Sequence, residues 1–172
     1  MLARLENIVV WIQAVTGWIG RAVAWLATVL VLVTGLVVLL RYAFQTGSIA
    51  LQESLIYINA LLFTLGAGYT LRHDGHVRVD IFYSRMTNRN RALVDTAGTL
   101  FLLLPVCGYI LWSSWDYVAF SWRIHEGSAE SSGLQIVYLL KSTILVLATF
   151  LLWQGIAELL KAIRTFTGHT PE

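Results

Sequence analysis

The chain is poor in three residue classes. It holds one cysteine, Cys107, two prolines and 13% charged residues in 172 positions. One cysteine rules out an internal disulfide and the paired thiols that quinone–thiol chemistry needs. With no cysteine–histidine cluster, the usual sets of structural metal ligands are missing too. Soluble domains carry about 25% charged residues; half that share leaves too little polar surface for a water-facing fold. The net charge of +2 is small, and no basic stripe is interleaved with aromatics, so nucleic acid is not an expected partner. There is no phosphate-cradling glycine loop and no nucleophile–base spacing. Nothing here points to an enzyme.

What the chain has in excess is apolar length. Hydrophobic residues make up 57%, seven residues are tryptophan, and the mean hydropathy is +0.68. About 20 apolar residues cross the hydrocarbon of a bilayer, and four runs are long enough, at about 22–40, 54–71, 96–115 and 136–156. Backbone groups find no water in lipid, so each run is expected to be a helix. The fold class is therefore an all-α membrane protein, a single domain of four transmembrane helices. The apolar run near the N-terminus is too long for a cleavable signal and ends in Leu39-Leu40-Arg41-Tyr42, so it reads as a retained span. Cys107, inside the third run, reads as a small buried hydrophobe.

Residues 1–20 form an amphipathic or interfacial helical extension. Trp11, Trp18 and Trp25 recur every seven residues and so share a helix face. That face fits interfacial anchoring or packing along a partner. Gly17 and Gly20 would mark a bend into the bilayer. In the first connection Gly47 and Ser48 supply a turn, bracketed by Arg41 and Glu53. In the second run Gly66, Ala67 and Gly68 let helix backbones approach closely. Pro105 removes a backbone hydrogen bond from the third run and is expected to kink it. Tyr109, Trp112, Trp115, Tyr117, Phe120 and Trp122 then form an interfacial belt.

The stretch Gly66–Tyr83 fixes the orientation. Ser54–Leu71 carries no formal charge; Arg72, His73, Asp74, His76, Arg78 and Asp80 then fall within nine positions. Val77, Val79 and Ile81 alternate with Arg78, Asp80 and Phe82, a pattern that fits a short strand or an amphipathic segment on lipid headgroups. Of the twelve lysines and arginines, nine lie in the N-terminal segment, the basic connection 72–95 and the C-terminal tail. The positive side faces the cytoplasm. Both termini are thus expected inside, and the connections 41–53 and 116–133 in the periplasm. Lys141, early in the fourth run, would snorkel to that interface.

None of the four apolar runs carries a charge at its centre. Intramembrane ionisable groups mark transport paths and proton relays, so this chain cannot by itself hold an ion or charged solute at the midplane. Haem needs histidines at bilayer depth, whereas His73, His76, His125 and His169 lie in connections or the tail. Thr28, Thr34, Asn59, Thr64, Thr99, Ser113 and Thr149 are left as neutral groups that could bond between helices at about 0.6 kcal/mol each.

Several segments resemble the small membrane subunit, the DctQ type, of tripartite ATP-independent periplasmic (TRAP) transporters. They are Arg41-Tyr42-Ala43-Phe44, Gln52-Glu53, Gly66-Ala67-Gly68-Tyr69-Thr70-Leu71, Asp74-Gly75-His76-Val77-Arg78-Val79-Asp80, Glu126, Glu130-Ser131-Ser132-Gly133-Leu134 and Leu139-Leu140-Lys141-Ser142. The likeness covers nearly the whole chain. The family's commoner proline after Gly-Leu is Gln135 here, and the proline that often follows Lys-Ser-x-x is also missing. The resemblance implies a symporter for an organic acid in the bacterial inner membrane. A periplasmic binding protein would deliver the solute, and a large multi-helix subunit would hold it together with sodium ions. This chain would carry no cofactor and would scaffold the large subunit. Arg41, Glu53, Arg123, Glu126, Glu130 and Lys141 are then interface candidates on the outer side. His76, Arg78 and Asp80 are candidates for meeting headgroups or the large subunit on the inner side, with Gly66 and Gly68 as close-packing candidates. Two other readings fit four helices: a standalone small exporter using Glu53, and a membrane anchor for an oxidoreductase.

Overall fold

The computed structural model describes residues 2–73, Tyr83 and 86–166, and among them every regular element is a helix. They are α1 (Leu2–Ala43), α2 (Ile49–Arg72), α3 (Asn88–Gly98), α4 (Leu104–Arg123) and α5 (Val137–Phe166), with a π-helical turn at Thr99–Leu103 joining α3 to α4. Four stretches are long and apolar enough to cross a membrane: Val9–Ala43, Ile49–Leu71, Arg89–Arg123 and Val137–Lys161. The alternating segment 77–82, with His76, Arg78 and Asp80, lies outside the described residues.

The helices outrun the uncharged stretches, because intrahelical bonds continue wherever a cap has not ended them. α1 is about 63 Å long at 1.5 Å per residue and runs unbroken through Gly17 and Gly20, where a bend was expected. Gly20 is instead a contact: a Cβ there would overlap the Tyr69 ring of α2. α2 starts at Ser48, whose hydroxyl accepts from Leu51 N–H at 3.3 Å. The left-handed residue of the first connection is Gln45, at φ 56°, not Gly47. Thr87 caps α3 by accepting from Asn90 N–H. The π turn sits immediately before Pro105, and Leu104 N–H reaches back to Thr99 C=O. Proline has no N–H to give the preceding turn, and a widened turn is a common way to absorb the fault.

α5 is the axis of the bundle. It packs against α1, α2, α3, the π turn and α4, while α1 pairs mainly with α2. In its most apolar window 28% of residues are buried, against 6% for α1. Small residues make this position tenable: Ala148 and Ala157 are fully enclosed, and Gly155 meets Leu103 of the π turn. Gly68 of α2 faces the Phe150 ring with no room for a Cβ, whereas Gly66 has only an ordinary 3.9 Å neighbour in Val23. Of the expected close-packing pair, Gly68 alone is tight.

The inward side of α1 is one seam: Val9, Ile12, Thr16, Ile19, Val23, Leu26, Leu30, Val33, Val37 and Leu40 are its buried or half-buried line. The spacing alternates three and four, a 3.5-residue period that winds helices into a left-handed supercoil. Trp11, Trp18, Trp25, Leu32 and Leu39 repeat every seven residues on the outer side and are all more than half exposed. Trp11 also meets the edge of Trp153 at 5.3 Å.

Candidate functional site: a clasped connection

The connection 124–136 between α4 and α5 carries the densest polar network among the described residues. α2 reaches it through Glu53. One Glu53 oxygen accepts from the Ser128 hydroxyl, and the other accepts from Leu134 N–H at 2.6 Å. Ser128 N–H donates to Leu134 C=O at 3.1 Å, Gly133 N–H to Glu130 C=O at 3.0 Å, and Glu130 N–H to the Ser128 hydroxyl at 3.1 Å. The chain enters this turn through His125 in the left-handed region, φ 48°. Gly133 lacks a side chain for a local reason, since a Cβ would press on the Ser128 hydroxyl and lie 2.6 Å from the Glu53 carboxylate.

A second tie lies beside the first. Lys141 of α5 donates to both oxygens of Glu126, at 2.5 and 2.7 Å. Its ammonium also stands 4.1 Å from the Tyr117 ring centre, within cation–π range. Lys141, expected to reach toward the interface, does so by bonding Glu126 of the connection and standing against Tyr117 of α4. The Lys141 ammonium keeps the Glu126 carboxyl below its ordinary range. Trp122 Nε1–H donates to the Ser142 hydroxyl at 2.8 Å, and the Trp122 and His125 rings meet the edge of Tyr138.

The remaining interface candidates are scattered. Arg41 lies in the last turn of α1 and Arg123 ends α4, both exposed. Glu130 is exposed at the tip of the clasped turn, whereas Glu53, Glu126 and Lys141 are half-buried within it. Arg41 does not pair with Glu53, whose oxygens are both taken.

The opposite end of the bundle carries a buried polar pair that is not among the interface candidates. Thr16 and Gln154 are fully enclosed, and the Thr16 hydroxyl lies 3.1 Å from Gln154 Oε1 and 2.9 Å from Ile12 C=O. Gln154 Nε2 donates to Glu158, which also accepts from Lys161. The available signal was that Gln154 is the lone strongly polar side chain between Thr149 and Glu158. By contrast Thr34, Thr99 and Ser113, expected to bond between helices, donate to carbonyls of their own helical segments. A hydroxyl in lipid satisfies itself most cheaply three or four residues back.

Among the described residues no group of three histidine, cysteine or acidic side chains could hold a metal ion. A groove of about 410 Å³ on α4 is lined by Gly108, Leu111, Trp112, Trp115 and Asp116. It presents one carboxylate and no nucleophile–base pair. The site can thus hold a loop in shape and present its tip.

A family model described as "Tripartite ATP-independent periplasmic transporters, DctQ component" matches residues 30–165 of the chain. Neither the curated proteins nor the solved structures gave a match.

Proposed function

The chain belongs to the DctQ-component family of the tripartite ATP-independent periplasmic transporters, and from that premise we propose that this small subunit is a scaffold for the large transport subunit in a bacterial inner membrane. The large subunit binds an organic acid and sodium ions and moves them; a secreted binding protein supplies the acid from the periplasm. This chain clasps the large subunit and widens its footprint in the bilayer. Both termini lie in the cytoplasm, and the clasped connection 124–136 faces the periplasm beside the first connection.

One observation carries the reading: Ala22–Leu40, Ser54–Leu71, Thr96–Trp115 and Ser142–Ala157 contain no ionisable acid or base of the Asp, Glu, Lys, Arg or His kind. A charged solute needs compensating groups at bilayer depth, so its site belongs to another chain. A standalone exporter would use Glu53 as its proton-exchanging carboxylate, but both Glu53 oxygens are engaged in holding the loop. The exposed outer face of α1, with Trp11, Trp18, Trp25, Leu32 and Leu39, is a surface on which a long partner helix fits.

Tagged expression with the neighbouring reading frames tests this. A large multi-helix subunit is expected to co-purify, and deletion of this chain is expected to abolish uptake of the acid. Solute uptake by this polypeptide alone in liposomes would refute the scaffold role.

A further inference from the structure

The two connections at the clasped end are built differently. The first spans only 44–48 between α1 and α2, an ordinary length for a connection between helices. The other spans 124–136, more chain than reversal of direction needs. A long connection normally keeps its freedom, yet this one is tied by residues of two helices, α2 and α5. Glu53 of α2 holds Ser128 and Leu134, Lys141 of α5 holds Glu126, and Tyr138 N–H returns to Glu126 C=O at 3.4 Å. The turn then closes on itself between Ser128 and Leu134. Gly127 and Gly133 stand where a Cβ would strike Gln135 and the Ser128–Glu53 pair. What this rigid frame leaves outside is the tip: Ala129, Glu130, Ser131 and Ser132 are exposed.

We infer that Glu53 is a positioning residue: through Ser128 and Leu134 it holds the 128–134 turn as a preformed ledge, on which the secreted binding protein docks by the Glu130–Ser132 tip. The inference rests on the binding-protein-dependent transport proposed above. A surface ordered in advance loses less conformational entropy when a partner arrives, which gives a physical reason to fix a loop whose tip is exposed. The tip offers a carboxylate and two hydroxyls. Those groups suit a soluble protein face bearing Lys, Arg and free N–H donors. They do not suit anionic lipid headgroups, which recruit cationic and aromatic side chains. Glu53 itself touches no partner. Its charge is spent inward, on one O–H and one N–H.

The small and large subunits, co-purified in proteoliposomes, provide the test, with uptake measured against the concentration of the purified binding protein. Glu53→Ala is expected to raise the half-saturating concentration about tenfold, with the maximal rate and co-purification yield changed less than twofold. Glu53→Gln is expected to stay within about twofold of the native chain on every measure, because an amide can accept from Leu134 N–H and donate to the Ser128 hydroxyl. In Glu53→Ala, a protease added without binding protein should cut between residues 128 and 134 at least fivefold faster. Unchanged half-saturation with intact dependence on the binding protein overturns this inference alone; native uptake that needs no binding protein overturns the parent reading with it. If Glu53→Ala fails to assemble, Glu130→Lys leaves the clasp in place and reverses the tip charge. It is expected to raise half-saturation by a similar factor, and no change there overturns the inference.

Discussion

At the end of the bundle where α2 begins, Glu53, Glu126 and Lys141 tie a connection with charge-assisted bonds of 2.7 Å or less. At the other end, α1 meets α5 through Thr16 and Gln154, both neutral and fully enclosed. The charges sit in or beside a connection, where water and headgroups reduce the cost of ionising them. A buried ion pair between spans would lose more in desolvation than it regains. Along α5 the change is graded. Gln154 is buried, Glu158 four residues on accepts its amide N–H, and Lys161 after that is about one-third exposed. This other end relies instead on close approach, with Gly20 against Tyr69 and Gly68 against Phe150. One end is fixed by charge and the other by fit, so each should fail under a different perturbation.

The largest effect is expected where fit decides. Gly68→Ala places a methyl against the Phe150 ring and should destabilise the purified subunit by about 2 kcal/mol, in the range for overpacking. Gly66→Ala meets only Val23, at 3.9 Å, and should change stability by less than about 0.5 kcal/mol. Thermal unfolding in detergent measures both. Equal shifts at the two glycines would mean that the tight α2–α5 approach does not hold this end.

The sequence makes these two ends legible to different degrees. Four helices follow from apolar length, and the uncharged centres can be read directly. The packing partners cannot. Glu53 is joined to groups 75 and 81 positions away, and no local pattern encodes which loop folds over a helix start. Lys141 and Glu126 are only 15 apart and opposite in sign, so that pair had a visible signal. Thr16 and Gln154 are 138 apart. A threonine among apolar residues looks the same whether it bonds its own carbonyl, as Thr34 does, or a neighbouring helix. Gly66 and Gly68 differ in the space around them, which is a property of the neighbouring helices α1 and α5 rather than of the local sequence.

Next in size is the loss of charge at the clasped end. Lys141→Met keeps the length of the side chain, deletes both bonds to Glu126 and leaves that carboxylate half-buried. The unfolding temperature should fall by about 3 °C at neutral pH. The pH dependence has a definite sign. Glu126 titrates below its ordinary value because Lys141 bonds the carboxylate, so its contribution is complete above the unfolded carboxylate pKa of about 4.3. It is lost as pH falls below that value, through the lowered folded-state pKa. The gap between the native chain and Glu126→Gln should therefore be constant from pH 7 to about 5 and close below about 4. A gap that widens in acid would contradict the pairing.

A smaller effect is expected at the neutral pair. Thr16→Val and Gln154→Leu, singly and together, form a double-mutant cycle whose coupling term should be about 0.6 kcal/mol, the mean for hydrogen bonds between membrane helices. The Thr16 hydroxyl keeps Ile12 C=O as an alternative acceptor, which holds the value down. A coupling of several kcal/mol would mean that neutral bonds, rather than glycine fit, fix this end.

The smallest effect should come from Arg41, an exposed cation at the clasped end. Arg41 closes α1 five residues before Thr46, whose N–H caps Leu40 C=O at 3.0 Å. Its guanidinium is exposed, and the nearby Glu53 carboxylate is fully engaged elsewhere. Near a helix C-terminus it interacts with the macrodipole, worth about 0.3–1 kcal/mol at low salt. Arg41→Ala should therefore shift stability by no more than about 0.5 kcal/mol, and 0.5 M salt should erase most of that shift because the charge is screened. Lys141→Met, which removes an ammonium half-buried between carboxylate and ring, should keep most of its effect in the same salt. If the two variants respond alike, then charge at this end acts through the general field and not through the clasp.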